Sequence, residues 1–304
     1  MPADEVLDAD FPDPDVLRAG GFYHLYATND RDHEVNVRVA RSRDLRNWEI
    51  LPDAMPQLPA WARPGKTWAP EVAKFGERFV LYFTARHDRL DHQVIGVAVA
   101  DRPEGPFRAH GEGPLLTETD LGGVIDAATF ADDDGSRWLL WKNDGNSRGD
   151  PTWIFLQRLS ADGLRLEGER SRLIRNDLPW EGPLVEAPTL WKREGRYHLF
   201  YSANVFSTRD YAVGRAVSDR IEGPYVKQPG PFLAGAGTRP APGGQDVVEG
   251  PGGGTLLIFH IWKRSASGWG RPVQSVPLVW KDGIPAVGEP TPPVPPSPAD
   301  TPVR

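Results

Sequence analysis

Short apolar runs alternate with polar residues along almost the whole chain, at the period of two expected of strands that bury one face. Five runs stand out because each follows a glycine turn: GGFYHLYATND, GERFVLYFTARHD, DGSRWLLWKNDG, EGRYHLFYSANVF and GGGTLLIFHIWKR. Each is followed by a loop and a second run: NVRVARSRD, QVIGVAVADRP, WIFLQRLSADG, YAVGRAVSDRI and PVQSVPLVWKDG. The turn glycines Gly21, Gly76, Gly135, Gly195 and Gly253 recur every 55–60 residues, somewhat longer than the roughly 40–50 residues of common propeller repeats. A lone four-stranded sheet leaves both faces wet, whereas five stacked radially cover one another. The pattern therefore predicts an all-β, five-bladed β-propeller over residues 1–288. A β-sandwich would not need the same turn at a fixed spacing. The remaining stretch, 289–304, is GEPTPPVPPSPADTPVR without its first Gly, and predicts an extended Pro-rich tail.

Composition agrees with many turns and short strands: 32 Gly, 31 Pro and 11 Trp. A formal charge of −7 without a basic run argues against nucleic acid or a membrane surface as partner. The absence of cysteine removes disulfides, thiolate metal sites and cysteine nucleophiles. The acidic opening MPADEVLDADFPDPDV carries no apolar run, so no signal peptide is visible and the compartment is left open.

Acids recur at one place in the repeat. Asp13, Asp126 and Glu186 each precede a turn glycine by eight or nine residues. In a propeller, the strand before the first hairpin turn lines the axis, so equivalent positions converge in one funnel. Clustered carboxylates repel one another, and their proton affinities separate, which lets one serve as acid and another as base.

At these residues the chain resembles glycoside hydrolase family 43, the arabinofuranosidases, β-xylosidases and arabinanases. FPDPDVLRAGGFYHLYAT is similar to the family's opening segment, WAPEV to its second-blade segment, VIDAATFADDDGSRWLLW to its third and VEAPTLWKREGRYHLFYS to its fourth. The resemblance implies that Asp13 is the general base, Glu186 the general acid, and Asp126 the residue that orients Glu186 and raises its pKa while staying ionised. It also implies inversion at the anomeric carbon, with the acid and base roughly 6.5–9.5 Å apart to admit a water. No cofactor is required. Many members place a His in a fifth-blade Gly-His segment that helps hold a structural calcium; this chain has Gly244 followed by Gln245. That removes the ligand, and Gln245 is left to fill the space; no metal ligand is assigned.

Four residues are candidates for the sugar subsite: Trp68 for stacking, Phe206 at the pocket mouth, Gln245, and Arg271 for hydroxyls or for the acid cluster. Glu71, Glu181, Asp10 and Asp15 lie near the motifs but are expected to be structural, and His260 a packed residue. No second domain is visible, which favours an exo-acting α-L-arabinofuranosidase on arabinan or arabinoxylan side chains over a β-xylosidase or arabinanase. A retaining, invertase-like enzyme would carry Arg-Asp-Pro and Glu-Cys segments, both missing. A sugar-binding propeller without catalysis is the rival from another class, and it has no need of three convergent acids.

Overall fold

In a computed structural model, residues 4–30, 34–237, 239–265 and 268–289 are described. Apart from Glu289, the expected Pro-rich tail lies outside them. The chain forms five antiparallel sheets arranged as blades of a β-propeller, and its only helical segments among the described residues are three short 3-10 turns.

Each blade starts with its innermost strand and works outward. The first four blades begin at Asp15–Ala19, Ala62–Phe75, Val124–Ala131 and Val185–Arg193, and each adds three strands in sequence order. The fifth begins with Gly243–Glu249, followed by Thr255–His260 and Val273–Lys281. Its outer edge is shared: Asp4–Leu7 pairs with one end of Val273–Lys281, and Ile284–Val287 pairs with the other. The repeat pattern did not anticipate the N-terminal strand. It carries no glycine turn of its own, and only ring closure gives it a partner.

The core is not one mass but five, one in each gap between neighbouring blades. Leu81 and Phe83 of the second blade meet Tyr26 and Val39 of the first, for example, and Leu199 and Tyr201 of the fourth meet Leu140 and Leu156 of the third. Alternation makes this work: successive residues of a central strand face opposite neighbours, so both faces must be apolar. The gap between the fifth and first blades is completed by Val6, which is 5% exposed, from the closing strand.

That placement makes closure testable. Val6→Asp buries a charge in the fifth-to-first gap, and we expect the unfolding midpoint to fall by at least about 4 °C. Scanning calorimetry beside the exposed control Val226→Asp measures it; equal midpoints would show that the closing strand contributes nothing.

Candidate active site

Every blade breaks its innermost strand at the same place. Asp13, Ala69, Asp126, Ala187 and Gly244 all have left-handed backbones, with φ of 56°, 38°, 58°, 48° and 55°. In the second to fifth blades the pairing register slips around this residue. These are β-bulges, which re-aim side chains and release backbone groups from the ladder. Asp tolerates this conformation, Gly adopts it freely, and Ala takes it at roughly 1 kcal/mol.

The freed N–H groups are satisfied across blade boundaries. Thr28 Oγ1 accepts from Ala69 N at 2.9 Å, Thr84 Oγ1 from Asp126 N at 3.3 Å, Ser202 Oγ from Gly244 N at 2.8 Å, and His260 Nδ1 from Asp13 N at 3.1 Å. At the junction of the third and fourth blades, Ala187 N donates to Asp126 Oδ2 at 2.9 Å. Two residues further along, a second set of bonds does the same. Asp15 accepts Val72 N, Glu71 accepts Thr129 N and hydroxyl, and Asp246 accepts Val16 N.

The bulge resolves the acids more finely than the sequence spacing did. Asp13 and Asp126 are left-handed residues themselves, whereas Glu186 stands one position earlier, where the second blade has Trp68. All three are half-buried, and Asp13 and Asp126 border a cavity of about 40 Å³ on the axis. A wider space of about 210 Å³ lies on the other side of Asp15, Glu71 and Asp246.

Asp13 sits among cation and donors. Arg271 Nη1 lies 3.1 and 3.2 Å from its two oxygens, and the Thr28 hydroxyl donates to Oδ2 at 2.6 Å. Burial pushes its carboxyl up, but the Arg271 guanidinium and the hydroxyl outweigh that and hold it below the usual range. Burial drives His260 down to about 3, so its ring is neutral and Nδ1 is free to accept the Asp13 amide. Arg271 is itself set by Asp10, which accepts its backbone N–H at 2.7 Å.

Asp126 and Glu186 form the opposite pole. Burial and the neighbouring Glu186 carboxylate push Asp126 up to about 8. Glu186 Oε2 meets Lys142 Nζ at 3.3 Å, and Oε1 accepts from Tyr211 Oη at 2.9 Å. Asp126 therefore keeps its proton at neutral pH. The sequence argument expected an ionised Asp126; burial and Glu186 raise it instead, and the buried Lys142 ammonium, invisible to that argument, pairs with Glu186.

The four subsite candidates divide. Arg271 belongs to the site, through Asp13 rather than through a surface salt bridge. Trp68 is half-buried and stands at the repeat position Glu186 holds. Phe206 is 41% exposed, its ring under the Arg271 guanidinium at 4.9 Å. Gln245 is not available to a sugar. It occupies the position after the bulge residue, where other blades have Pro14, Pro70, Ala127 and Pro188, and its side chain turns into the fourth blade. Its amide oxygen accepts from Ser202 and its nitrogen donates to Ala187 O. Of the residues set aside, Glu181 is bound by Lys227 and Tyr201 and is structural, as expected. Sequence reasoning missed Thr28, Lys142 and Tyr211. The signal for the first two was the repeat itself, because Thr28, Thr84, Lys142, Ser202 and His260 align opposite the bulges.

The residues present do not suit the calcium that the resemblance suggested. Among the described residues no three His, Asp or Glu side chains converge as a metal site, and both ends of the Gln245 amide already have protein partners.

An axial funnel with one cation-paired carboxylate facing a carboxyl group that keeps its proton is an arrangement suited to acid–base hydrolysis. The sequence profile of Glycosyl hydrolases family 43 matches residues 4–285. The chain belongs to this family. Family 43 enzymes are glycoside hydrolases that invert the anomeric centre. The chain is 30% identical over 282 residues to the xylosidase/arabinosidase 43B of Humicola insolens, covering 86% of this chain and 49% of that protein. It thus spans about half the length of that relative. It is 25% identical over 291 residues to the extracellular endo-α-(1→5)-L-arabinanase 1 of Bacillus subtilis, covering 90% and 86% of the two. In structure it is similar to a thermostable family-43 glycoside hydrolase, with a TM-score of 0.86 at 30% identity and coverage of 98% and 99%.

The charge pattern fixes the sign of a pH effect. On the acid–base reading, which needs an ionised Asp13 and a proton held at Asp126, kcat/KM should be bell-shaped with its alkaline limb near the Asp126 value of about 8. Arg271→Gln removes the cation that lowers Asp13, so the acidic limb should move to higher pH while the alkaline limb changes less. A pH–rate profile in which neither limb moves would refute this role for Arg271.

Proposed function

We propose that the protein hydrolyses terminal pentose units from plant cell-wall polysaccharide, as an exo-acting α-L-arabinofuranosidase on arabinan or arabinoxylan side chains. The observation that carries the reaction is the contrast between Asp13, held ionised by Arg271, and the Asp126–Glu186 pair, which retains a proton. Asp13 takes a proton from water, and the water attacks the anomeric carbon. The pair's proton passes through Glu186 to the departing glycosidic oxygen, and Asp126 and the Tyr211 hydroxyl hold Glu186 in place. The product has inverted configuration. Terminal β-xylose is the second reading, favoured by the Humicola relative's being named for both sugars.

An aromatic strip beside the site supports a polymeric substrate. Phe206 meets Trp262 edge-on at 5.8 Å, and Trp262 stacks on Trp269 at 5.3 Å with planes 8° apart. Trp269 is 60% exposed. Phe206 and Trp269 are the only aromatic rings among the exposed large hydrophobics of the described residues, and through Arg271 the strip starts at the catalytic carboxylate. Flat rings of this kind suit the C–H faces of sugars beyond the one being cleaved.

Two tests follow. Nitrophenyl pentosides beside branched arabinan, arabinoxylan and xylan identify the sugar, and NMR before mutarotation reads the fresh anomer. Glu186→Ala should lose about 10²–10⁴-fold on polysaccharide and far less on a dinitrophenyl glycoside, whose leaving group needs no proton, whereas Asp13→Ala should lose comparably on both. Retention of configuration, or equal losses for Glu186→Ala on both substrates, would overturn the assignment. Trp269→Ala should raise KM about five- to thirtyfold on long oligosaccharides and leave aryl glycosides unchanged; equal KM values would remove the strip from the substrate path.

A further inference from the structure

One position in the repeat departs from the chemistry of the other four. Opposite each bulge, the second strand of the blade presents Thr28, Thr84, Lys142, Ser202 or His260. Thr28, Thr84, Ser202 and His260 offer a lone pair, and each accepts the N–H of the next blade's left-handed residue. An ammonium has none to offer. At that junction alone the N–H, from Ala187, turns to the Asp126 carboxylate at 2.9 Å. Lys142 is 1% exposed, and its Nζ lies 3.3 Å from Glu186 Oε2 and 3.6 Å from Asp144 Oδ1.

We propose that Lys142 is the positioning residue that builds the acid half of the site: lacking an acceptor, it leaves the Ala187 N–H to Asp126, and its ammonium anchors Glu186 in the funnel. The first effect fixes the Asp126 carboxylate beside Glu186 through the backbone of the adjacent residue. The second sets how many protons the cluster holds. Asp126, Glu186 and Asp144 surround this single buried cation. Ionising all three would leave two negative charges in excess, so a proton remains in the cluster; without the cation more would remain, held more tightly. The other groups facing the cluster are Asp13 opposite Asp126, the Tyr211 hydroxyl on Glu186 and, around Asp144, Arg86 and His92. Burial alone would lower the Lys142 ammonium, but Glu186, Asp144 and Asp126 outweigh it and keep it charged. Lys142 has no surface to offer a substrate, so its influence runs through Glu186 and Asp126.

The inference rests on Glu186 being the acid, and the experiment separates the two. Lys142→Met removes the charge at similar length, and Lys142→Thr installs the residue two other blades use. In both, the alkaline limb of kcat/KM on an aryl pentoside should move up by about one pH unit or more. Turnover on polysaccharide should fall more than on an activated aryl glycoside, with KM for the aryl glycoside unchanged. In parallel, ¹³C carboxyl signals of Asp- and Glu-labelled protein report the shared titration without turnover, and it should shift upward in the same variants. If the wild type cleaves no pentoside, the NMR titration still decides the matter. An alkaline limb and carboxyl titration unmoved in Lys142→Thr, whatever its activity, would overturn the proposal and leave Lys142 a structural ion pair.

Discussion

The molecule depends on the unsatisfied N–H that each bulge exposes at the propeller axis. A left-handed residue in an innermost strand takes its amide out of the blade's own ladder, and a buried amide without a partner costs about 1–3 kcal/mol. Five such amides point across the blade gaps, and each is met from the neighbouring blade. The bond that stitches one blade to the next is thus the bond that presents a side chain to the funnel. Asp13 is aimed by the same bulge whose amide binds His260, and Asp126 by the bulge whose amide binds Thr84. Catalytic geometry and ring closure are one constraint. That explains Gly244: a Cβ there would come within 2.5 Å of the His260 ring and 3.0 Å of Asp13 Oδ1, pushing away the group that fixes Asp13.

Two layers of acids stand along the axis, and burial alone does not distinguish them. Burial and mutual repulsion raise Asp15 well above its ordinary range, and Asp246 is pushed up to about 8 by burial and by Glu71. Perturbed acids of this kind are often read as functional. Their oxygens, however, are engaged by backbone N–H groups of Val72, Thr129 and Val16, and among the described residues no cation pairs with them as Arg271 pairs with Asp13 or Lys142 with Glu186. Charge asymmetry sets the upper layer apart: one carboxylate paired with a guanidinium faces Asp126, which burial and Glu186 hold protonated at neutral pH. The lower layer is nearly uniform, and uniform acids cannot divide the work of donating and accepting.

The repeat was legible because turn glycines and period-two apolar runs are local signals, and five copies reinforce one another. Asp13, Asp126 and Glu186 were legible for a related reason, since the axis gathers what the repeat aligns. What escaped the sequence was the backbone conformation. The bulge shifts Glu186 one place from the other two acids and turns Gln245 away from the funnel, and neither follows from spacing. The N-terminal strand escaped because its partner lies about 270 residues away, a distance only closure bridges. Arg271 sat in a plain loop motif, and its pairing with Asp13 depends on Asp10 fixing its backbone from the other end of the chain.

Repetition also gives a rule for finding chemistry in this architecture. Where the copies carry equivalent chemistry, the residue serves the scaffold, as do the acceptors Thr28, Thr84, Ser202 and His260 in four of the five blades. Where one copy breaks the pattern and the structure does not suffer, another demand has set that residue. The third blade breaks it with a buried ammonium, an expensive group to desolvate when a hydroxyl would close the junction. The fourth breaks it at Glu186, where the equivalent residues of the first, third and fifth blades are Pro12, Ile125 and Gly243. These two exceptions are not scattered. They face each other across one blade gap at 3.3 Å, and each makes the other tolerable: the carboxylate offsets the burial of the cation, and the cation holds the carboxylate in place in the funnel.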